Sequence, residues 1–539
     1  MMEKNKTELL LVHTKLQIKN DTKAPDLSGY GVALPTLTAY EREQGIVTRI
    51  YDTSLCTDTY EQIVKKIVEE NSLVLGISRI TTNYIEEIFE FIDDIRRYGY
   101  RGFIFLGGHA ATIEYEKCLL ECSGCDCVVM GEGEVTIAEL VYAIRKKEPW
   151  QNIKGIAYVD ASGIKRNPLR PLISDIDSIP FMATDLLEQL QEIQGKRNIT
   201  AYLVSSRGCY KKCSFCSIAA YFDMFEGCRM RYRSVENVFN EMKSLYYAHG
   251  IRKFCFWDDT FIIPGKKGIE RCHRLAELIK TLPEKISLEI ATRVDTISYE
   301  VIALLKEAGL KHIHLGIESF IDRDLVLYNK GVTVEQNIEA LSILEDLGFS
   351  TKVGSKLRIA TYLISFNPFT TLEDIRHMIF YFKKYEISPK KQVTFLHVSN
   401  YAPIKQKLIN NGIKLGLNNE WEFLDERVSY LSEKYYNFVQ HAMKTREKLR
   451  TLEKSEKYNN DIKLLNEIKL LRENIDNKCT EFLEKLVDYF DNNMRKESIE
   501  AFYKKNIDEF NDFVGRRMEL EVELLLSQLG DFIIMENLQ

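Results

Sequence analysis

Short apolar runs alternate with helix-period segments twice along this 539-residue chain, and no other feature restricts its fold as much. Over residues 1–150 the strand-like runs are 8–13, 47–52, 73–78, 102–106 and 127–130. Between them apolar positions recur at helical spacing, as at Ile63, Ile67 and Val68. Strands that alternate with helices predict a doubly wound, Rossmann-like parallel sheet. Ligands of such sheets bind beyond the carboxyl ends of the strands. Glycine-bearing turns fall at those ends: Gly76-Ile-Ser78, Gly107-Gly108-His109 and Gly131-Glu132-Gly133-Glu134. Any one of them fits an ordinary strand-to-helix turn. Three at one edge favour a cleft in which a large ligand approaches the backbone.

Residues 151–195 read as a connector. Segments 153–159 and 164–166 flank Asp160-Ala-Ser-Gly163, a hairpin signal, and Pro168, Pro171 and Pro180 then predict an extended crossing. Residues 196–400 carry the second series, with strands expected at 201–206, 253–258, 287–292, 312–317, 358–364 and 393–398. Thr333-x-x-Gln336 and Thr370-x-x-Glu373 fit capping boxes, and Gly250, Gly309 and Gly348 stand where helices stop. Six such units predict a partial (β/α)6 TIM-like barrel with its site at the strands' C-terminal ends. Polar groups gather there: Asp258 and Asp259, then Arg293 and Asp295, then Glu318 and Ser319. They supply acceptors for an ammonium and a ribose and a donor for a carboxylate. His312 and His314 share one strand face, where barrel packing and metal ligation are both open.

The chemistry concentrates in Cys209-Tyr-Lys-Lys-Cys213-Ser-Phe-Cys216, directly after the first strand of the second series. Gly208 permits a sharp turn there. Lys211 and Lys212 place positive charge beside the thiols, which favours thiolate. Thiolates select iron–sulfur clusters or zinc. Three close cysteines without a fourth suggest a 4Fe–4S cluster with one iron left open. Cys118-x3-Cys122-x2-Cys125, with Cys127 after it, repeats the spacing, but Cys118 and Cys122 fall four apart on an expected helix. These read as packing or turn residues. Cys228, Cys255 and Cys272 read as core residues.

The 201–216 stretch, with Phe215 before the third cysteine, resembles the cluster loop of the radical S-adenosylmethionine (SAM) enzymes. The Gly-Gly-His-Ala-Ala-Thr and Gly-Glu-Gly-Glu runs resemble the cobalamin-binding domain at the N-terminus of many members, over roughly residues 8–146. The D-x-H-x-x-G loop that gives cobalt a histidine ligand in the mutases is absent. The resemblance implies a 4Fe–4S cluster on Cys209, Cys213 and Cys216, and SAM contacts at Phe215, Asp258, Asp259, Arg293 and Glu318. It implies a cobalamin cleft over Ser78, Gly107, Gly108, His109, Gly131, Glu132, Gly133 and Glu134. The run from Phe366 to Thr371 departs from the glycine-rich segment of many relatives. The expected activity is reductive cleavage of SAM, with cobalamin-dependent methylation of an unactivated carbon. The alternatives are a radical SAM cyclase or rearrangement enzyme, or a cobalamin- or metal-binding module without catalysis. The strand-end polar set weighs against the module. An electron donor such as flavodoxin or ferredoxin is implied; the residues do not name the substrate, for which a small metabolite and a peptide both stay open.

A net charge of −6 gives no global pull toward nucleic acid or anionic membrane. No apolar run approaches the ~20 residues that span a bilayer, and the start is polar, so a cytoplasmic location is expected, with the 12 cysteines reduced. Residues 401–539, rich in Lys, Glu, Asn and Leu, predict a helical domain, with Leu464, Ile468 and Leu471 on one face.

Overall fold

The computed structural model describes residues 6–14, 31–78, 85–195, 199–352, 354–416, 419–453, 462–492 and 496–517. Two compact units emerge, one of residues 1–314 with 399–403, the other of residues 315–398 with 404–539.

The first unit opens with β1 (Leu9–His13), β2 (Thr48–Asp52), β3 (Val74–Ser78), β4 (Phe103–Gly107), β5 (Cys127–Val129), β6 (Ile156–Asp160) and β7 (Gly163–Arg166). Their order is β2-β1-β3-β4-β5-β6-β7. The five expected strands pair in parallel, and the hairpin of β6 and β7 continues the sheet antiparallel beyond β5. Both faces are covered, as in a doubly wound sheet. Leu10, Val12, Leu75, Ile77, Ile104 and Leu106 meet helices Tyr60–Glu70 and Ile85–Arg97 on one side. Leu9, Leu11, Val74, Phe105 and Val129 meet helices Ala33–Glu43 and Glu134–Lys146 on the other. Ser78 pairs with Gly107, so the expected cleft residues share one edge in register.

The same unit holds β8 (Thr200–Leu203), the short antiparallel pair β9 (Ser206–Arg207) and β10 (Arg231–Tyr232), then β11 (Lys253–Phe256), β12 (Ser287–Arg293) and β13 (Leu310–Glu318). β11 runs parallel between β8 and β12, and β13 follows β12. The boundary between the units falls inside β13. In the second unit β14 (Arg358–Leu363) lies beside β13. Five of the six expected barrel strands are regular. The sixth, 393–398, is reduced to a bridge from Phe366 to Phe395. The helix Pro389–Gln392 starts on a proline just before it, and the Trp421 indole N–H takes the Leu396 carbonyl at 2.8 Å, an acceptor that a ladder partner would need.

Helices Glu426–Glu453, Ile462–Asn492 and Lys496–Arg517 form the expected C-terminal region, with Leu464, Ile468 and Leu471 buried. Thr333 and Gln336 form the expected capping box. The next box is Thr371 with Asp374, one residue beyond the expected pair, because the Thr370 hydroxyl instead accepts from the Asn367 N–H. Cys255 and Cys272 are buried, but Cys228 is exposed, on the segment entering β10. No described helix is long and apolar enough to cross a membrane.

Candidate functional site

The cysteine loop leaves β8 and enters helix Ser217–Phe222, the strand-to-helix passage expected for it. Its entry permits only glycine. Gly208 has φ +83°, and a Cβ there would lie 2.0 Å from the Arg229 carbonyl oxygen. The loop's root is held from the neighbouring strand. Asp258 Oδ1 accepts the N–H groups of Ser205 (2.7 Å) and Ser206 (2.6 Å), and its Oδ2 accepts the Ser205 hydroxyl at 2.8 Å. Asp259 accepts the Gly208 N–H at 3.0 Å, one residue before Cys209. Burial and then the Asp258 charge push the Asp259 carboxyl up to about 6.

The lysine side chains of the loop form ion pairs with carboxylates. Lys211 turns to Asp295 (3.3 Å) and Lys212 to Asp223 (2.8 Å), so carboxylates outside the loop take their charge. Arg293 reaches the loop as well: its Nη1 donates to Cys213 Sγ at 3.3 Å while its Nε donates to Asp295 at 2.9 Å. Burial raises the Cys209 thiol and pushes Cys216 up to about 11. Both thiols are therefore protonated before metal arrives, and metal binding releases protons. A turn from the Cys216 N–H to the Cys213 carbonyl, 3.2 Å, keeps the last two cysteines on one loop. Three thiols and a guanidinium at a loop without a fourth cysteine fit an iron–sulfur cluster with an open iron.

Asp258 is the expected SAM contact whose bonds are already used. Asp258→Ala would leave two buried N–H groups unpaired, each costing about 1–3 kcal/mol. The expected outcome is lower thermal stability together with lower iron content, read by melting and iron analysis. Full iron with weakened SAM binding alone would put the carboxylate on SAM instead. In the second unit Glu318 ends β13 at φ +66°, a region that residues with a Cβ rarely enter, and its carboxylate meets Lys330 Nζ at 2.8 Å.

A cavity of about 380 Å³ opens at the carboxyl edge of the first sheet. All eight expected cobalamin residues line it, from Ser78 and Gly107 to Glu134. Gly108 and Gly131 both have positive φ, +98° and +85°. At Gly107 an added Cβ would make ordinary contact with the Val129 carbonyl oxygen at 3.7 Å, without a clash. The edge is a cradle of the kind that a large cofactor needs. Arg207, Gly208, Tyr221, Trp257 and Asp259 border the same cavity. The His109 ring lies 3.9 Å from that of Tyr221, and burial lowers its pKa to about 4, so it is neutral at pH 7.

Pattern reading missed the residues that tie this edge to the cysteine loop. Arg207 donates to Glu132 (2.9 Å) and to Glu134 (2.5 Å), and Arg231 donates to both Glu132 oxygens at 2.9 Å. Burial alone would raise the Glu132 carboxyl, but Arg207 and Arg231 outweigh it and hold it below the ordinary value. The sole sequence signal was Arg207, two residues before Cys209. The second cysteine triplet packs as expected. Cys118 and Cys122 are buried in the sheet's core, Cys125 packs against it, and burial pushes the first two thiols up to about 12.

The Radical SAM superfamily model matches residues 203–381, and the B12 binding domain model matches residues 25–141. An uncharacterized methyltransferase of Pyrococcus horikoshii is 31% identical over 386 residues, which are 72% of this chain and 79% of that protein. The anaerobic magnesium-protoporphyrin IX monomethyl ester cyclase of Cereibacter sphaeroides is 30% identical over 303 residues, 54% of this chain and 48% of that protein. The fold resembles that of the cobalamin-dependent S-adenosylmethionine radical enzyme OxsB, with aqua-cobalamin and S-adenosylmethionine bound, at a TM-score of 0.74 and 18% identity over 98% of this chain and 81% of that one. Cluster loop, glycine edge and both matches thus coincide in one chain: its cofactors are a 4Fe–4S cluster, SAM and cobalamin, and it belongs to the radical SAM enzymes that carry a cobalamin-binding domain.

Proposed function

We propose that this enzyme methylates an unactivated carbon of its substrate. When bound, the cofactors would supply the difficult chemistry, which is reductive cleavage of SAM at the cluster and carriage of a methyl group on cobalamin. The chain's residues position these groups and exclude water. Cys209, Cys213 and Cys216 hold the cluster, and Arg293 donates a hydrogen bond to the Cys213 sulfur. Phe215, Asp259, Arg293 and Glu318 contact SAM, and Asp258 does so through the backbone that it fixes. Ser78, Gly107, Gly108, His109 and residues 131–134 receive cobalamin. Tyr221, which is buried, and the exposed Trp257 both line the cavity.

The observation that carries this reading is the single cavity bordered by both the glycine edge and the root of the cysteine loop. Methyl transfer through cobalamin requires the cobalt face and the cluster to share one space. The name of the Pyrococcus relative supports methylation; that of the Cereibacter relative supports a second reading, ring closure. SAM labelled in its methyl group decides between them. Label in the product is the expected result; label only in methionine would overturn methylation and favour cyclisation.

The functional segments are then 1–150 for cobalamin, 151–195 as connector, 196–400 for radical chemistry and 401–539 as the helical domain. The substrate is a small metabolite or peptide. The reductant, which enzymes of this class need in general, is a flavodoxin or ferredoxin, and the protein works in the cytoplasm.

A further inference from the structure

The two histidines of β13 meet a carboxylate that has no part in the reading above. Glu289 of β12 places one oxygen, Oε1, 3.1 Å from His312 Nδ1 and 2.5 Å from His314 Nε2. The imidazole centroids are 4.5 Å apart and inclined by 35°. One ligand atom from each residue falls within 4.8 Å of the others. The three side chains occupy one face of the sheet, since Leu288, Ile290, Ile313 and Leu315, on the alternate positions, are buried apolar residues. Packing alone explains the trio poorly. His312 Nε2 is buried and has no hydrogen-bond partner, so an apolar side chain would be less costly at this position.

We propose that Glu289, His312 and His314 bind a divalent metal ion of the zinc type. Two imidazole nitrogens and one carboxylate oxygen without sulfur suit zinc and its neighbours in the first transition row better than calcium or magnesium. Ligand distances of ~2.0–2.2 Å require only a small opening of the present contacts. Three protein ligands leave one position for water or for an oxygen of a bound molecule. The site is separate from the cluster. Glu289 lies four residues before Arg293 on β12, roughly 13 Å along a strand. The inference does not depend on cobalamin or on methyl transfer.

The test uses the full-length protein with its iron–sulfur cluster already in place, so that the cysteine loop is filled, and zinc ion as the probe. After equilibrium dialysis against low-micromolar zinc, metal analysis should find a single zinc per chain in addition to iron. Glu289→Gln and His314→Gln should each weaken zinc binding about 100-fold or more, above the effect of losing a supporting partner alone, with iron unchanged. X-ray absorption at the zinc edge of the unmodified protein should show nitrogen and oxygen neighbours with imidazole scattering. Absent zinc, sulfur in the first shell, or undiminished binding in both variants would overturn the site. If a variant loses its iron through misfolding, the absorption spectrum of the unmodified protein still decides.

Discussion

Alanine in place of Cys209, Cys213 and Cys216 together is expected to take the reconstituted protein from about four iron per chain to none. Alanine at Cys118, Cys122 and Cys125 is expected to keep the iron and lower stability. The contrast follows from surroundings, since the two triplets share one spacing. Cys118 and Cys122 lie in the core of the first sheet among Ile92, Tyr100 and Leu119, with thiols pushed up to about 12 by burial. Truncating a buried side chain there removes packing atoms and leaves a void. The other triplet lies on a loop, next to the Arg293 guanidinium. Iron analysis and the visible spectrum, set beside thermal melting of both triple variants, give the result. Iron that survives in the first variant and disappears in the second would reverse the assignment.

The second large effect is expected from Arg207→Met. The side chain joins Glu132 and Glu134, and the Glu134 side chain is only 3% exposed. Methionine keeps much of the apolar length but leaves the Glu134 carboxylate without its cation. Breaking a buried pair in this way costs about 3–5 kcal/mol, so the urea midpoint should fall markedly. The pH dependence has a definite sign. The Glu132 carboxyl titrates below its ordinary 4.5 in the folded protein, because the two arginines outweigh burial. Its contribution is therefore complete above pH 4.5 and fades as pH falls through the lowered value. With Arg207 gone, that acid-side loss should shrink. Equal midpoints for variant and parent at pH 7 would mean that the pair stabilises nothing.

The strands of the first sheet were legible because each is an apolar run bounded by turn residues, and their glycine edge followed from the order of elements. The role of Cys118 and Cys122 was legible too, since a spacing of four places both on one helix face. What stayed hidden is pairing across long separations. Arg207 and Glu132 stand 75 residues apart, and neither carries a local pattern that names the other. The ion pairs of the loop's lysines were hidden for the same reason: Asp295, which takes Lys211, lies on a later segment. The bonds that Asp258 accepts from Ser205 and Ser206 were hidden in the same way, since they join segments more than fifty residues apart. Segment 393–398 has strand composition, but local propensity was overridden once Trp421 took the Leu396 carbonyl.

The fastening of the loop by Asp258 and Asp259 sets an order of events during synthesis. When Cys216 leaves the ribosome, all three cysteines are out, but the groups that shape their loop are not. The N–H groups of Ser205, Ser206 and Gly208 find their acceptors only after β11 and the two aspartates emerge, and Cys213 meets Arg293 later still. Until then the thiols belong to an unshaped segment exposed to any soft metal in the cell. The loop in its folded shape, with all these contacts, exists only once the chain has emerged past residue 293. Earlier loading would have to act on cysteines that no strand yet holds in place.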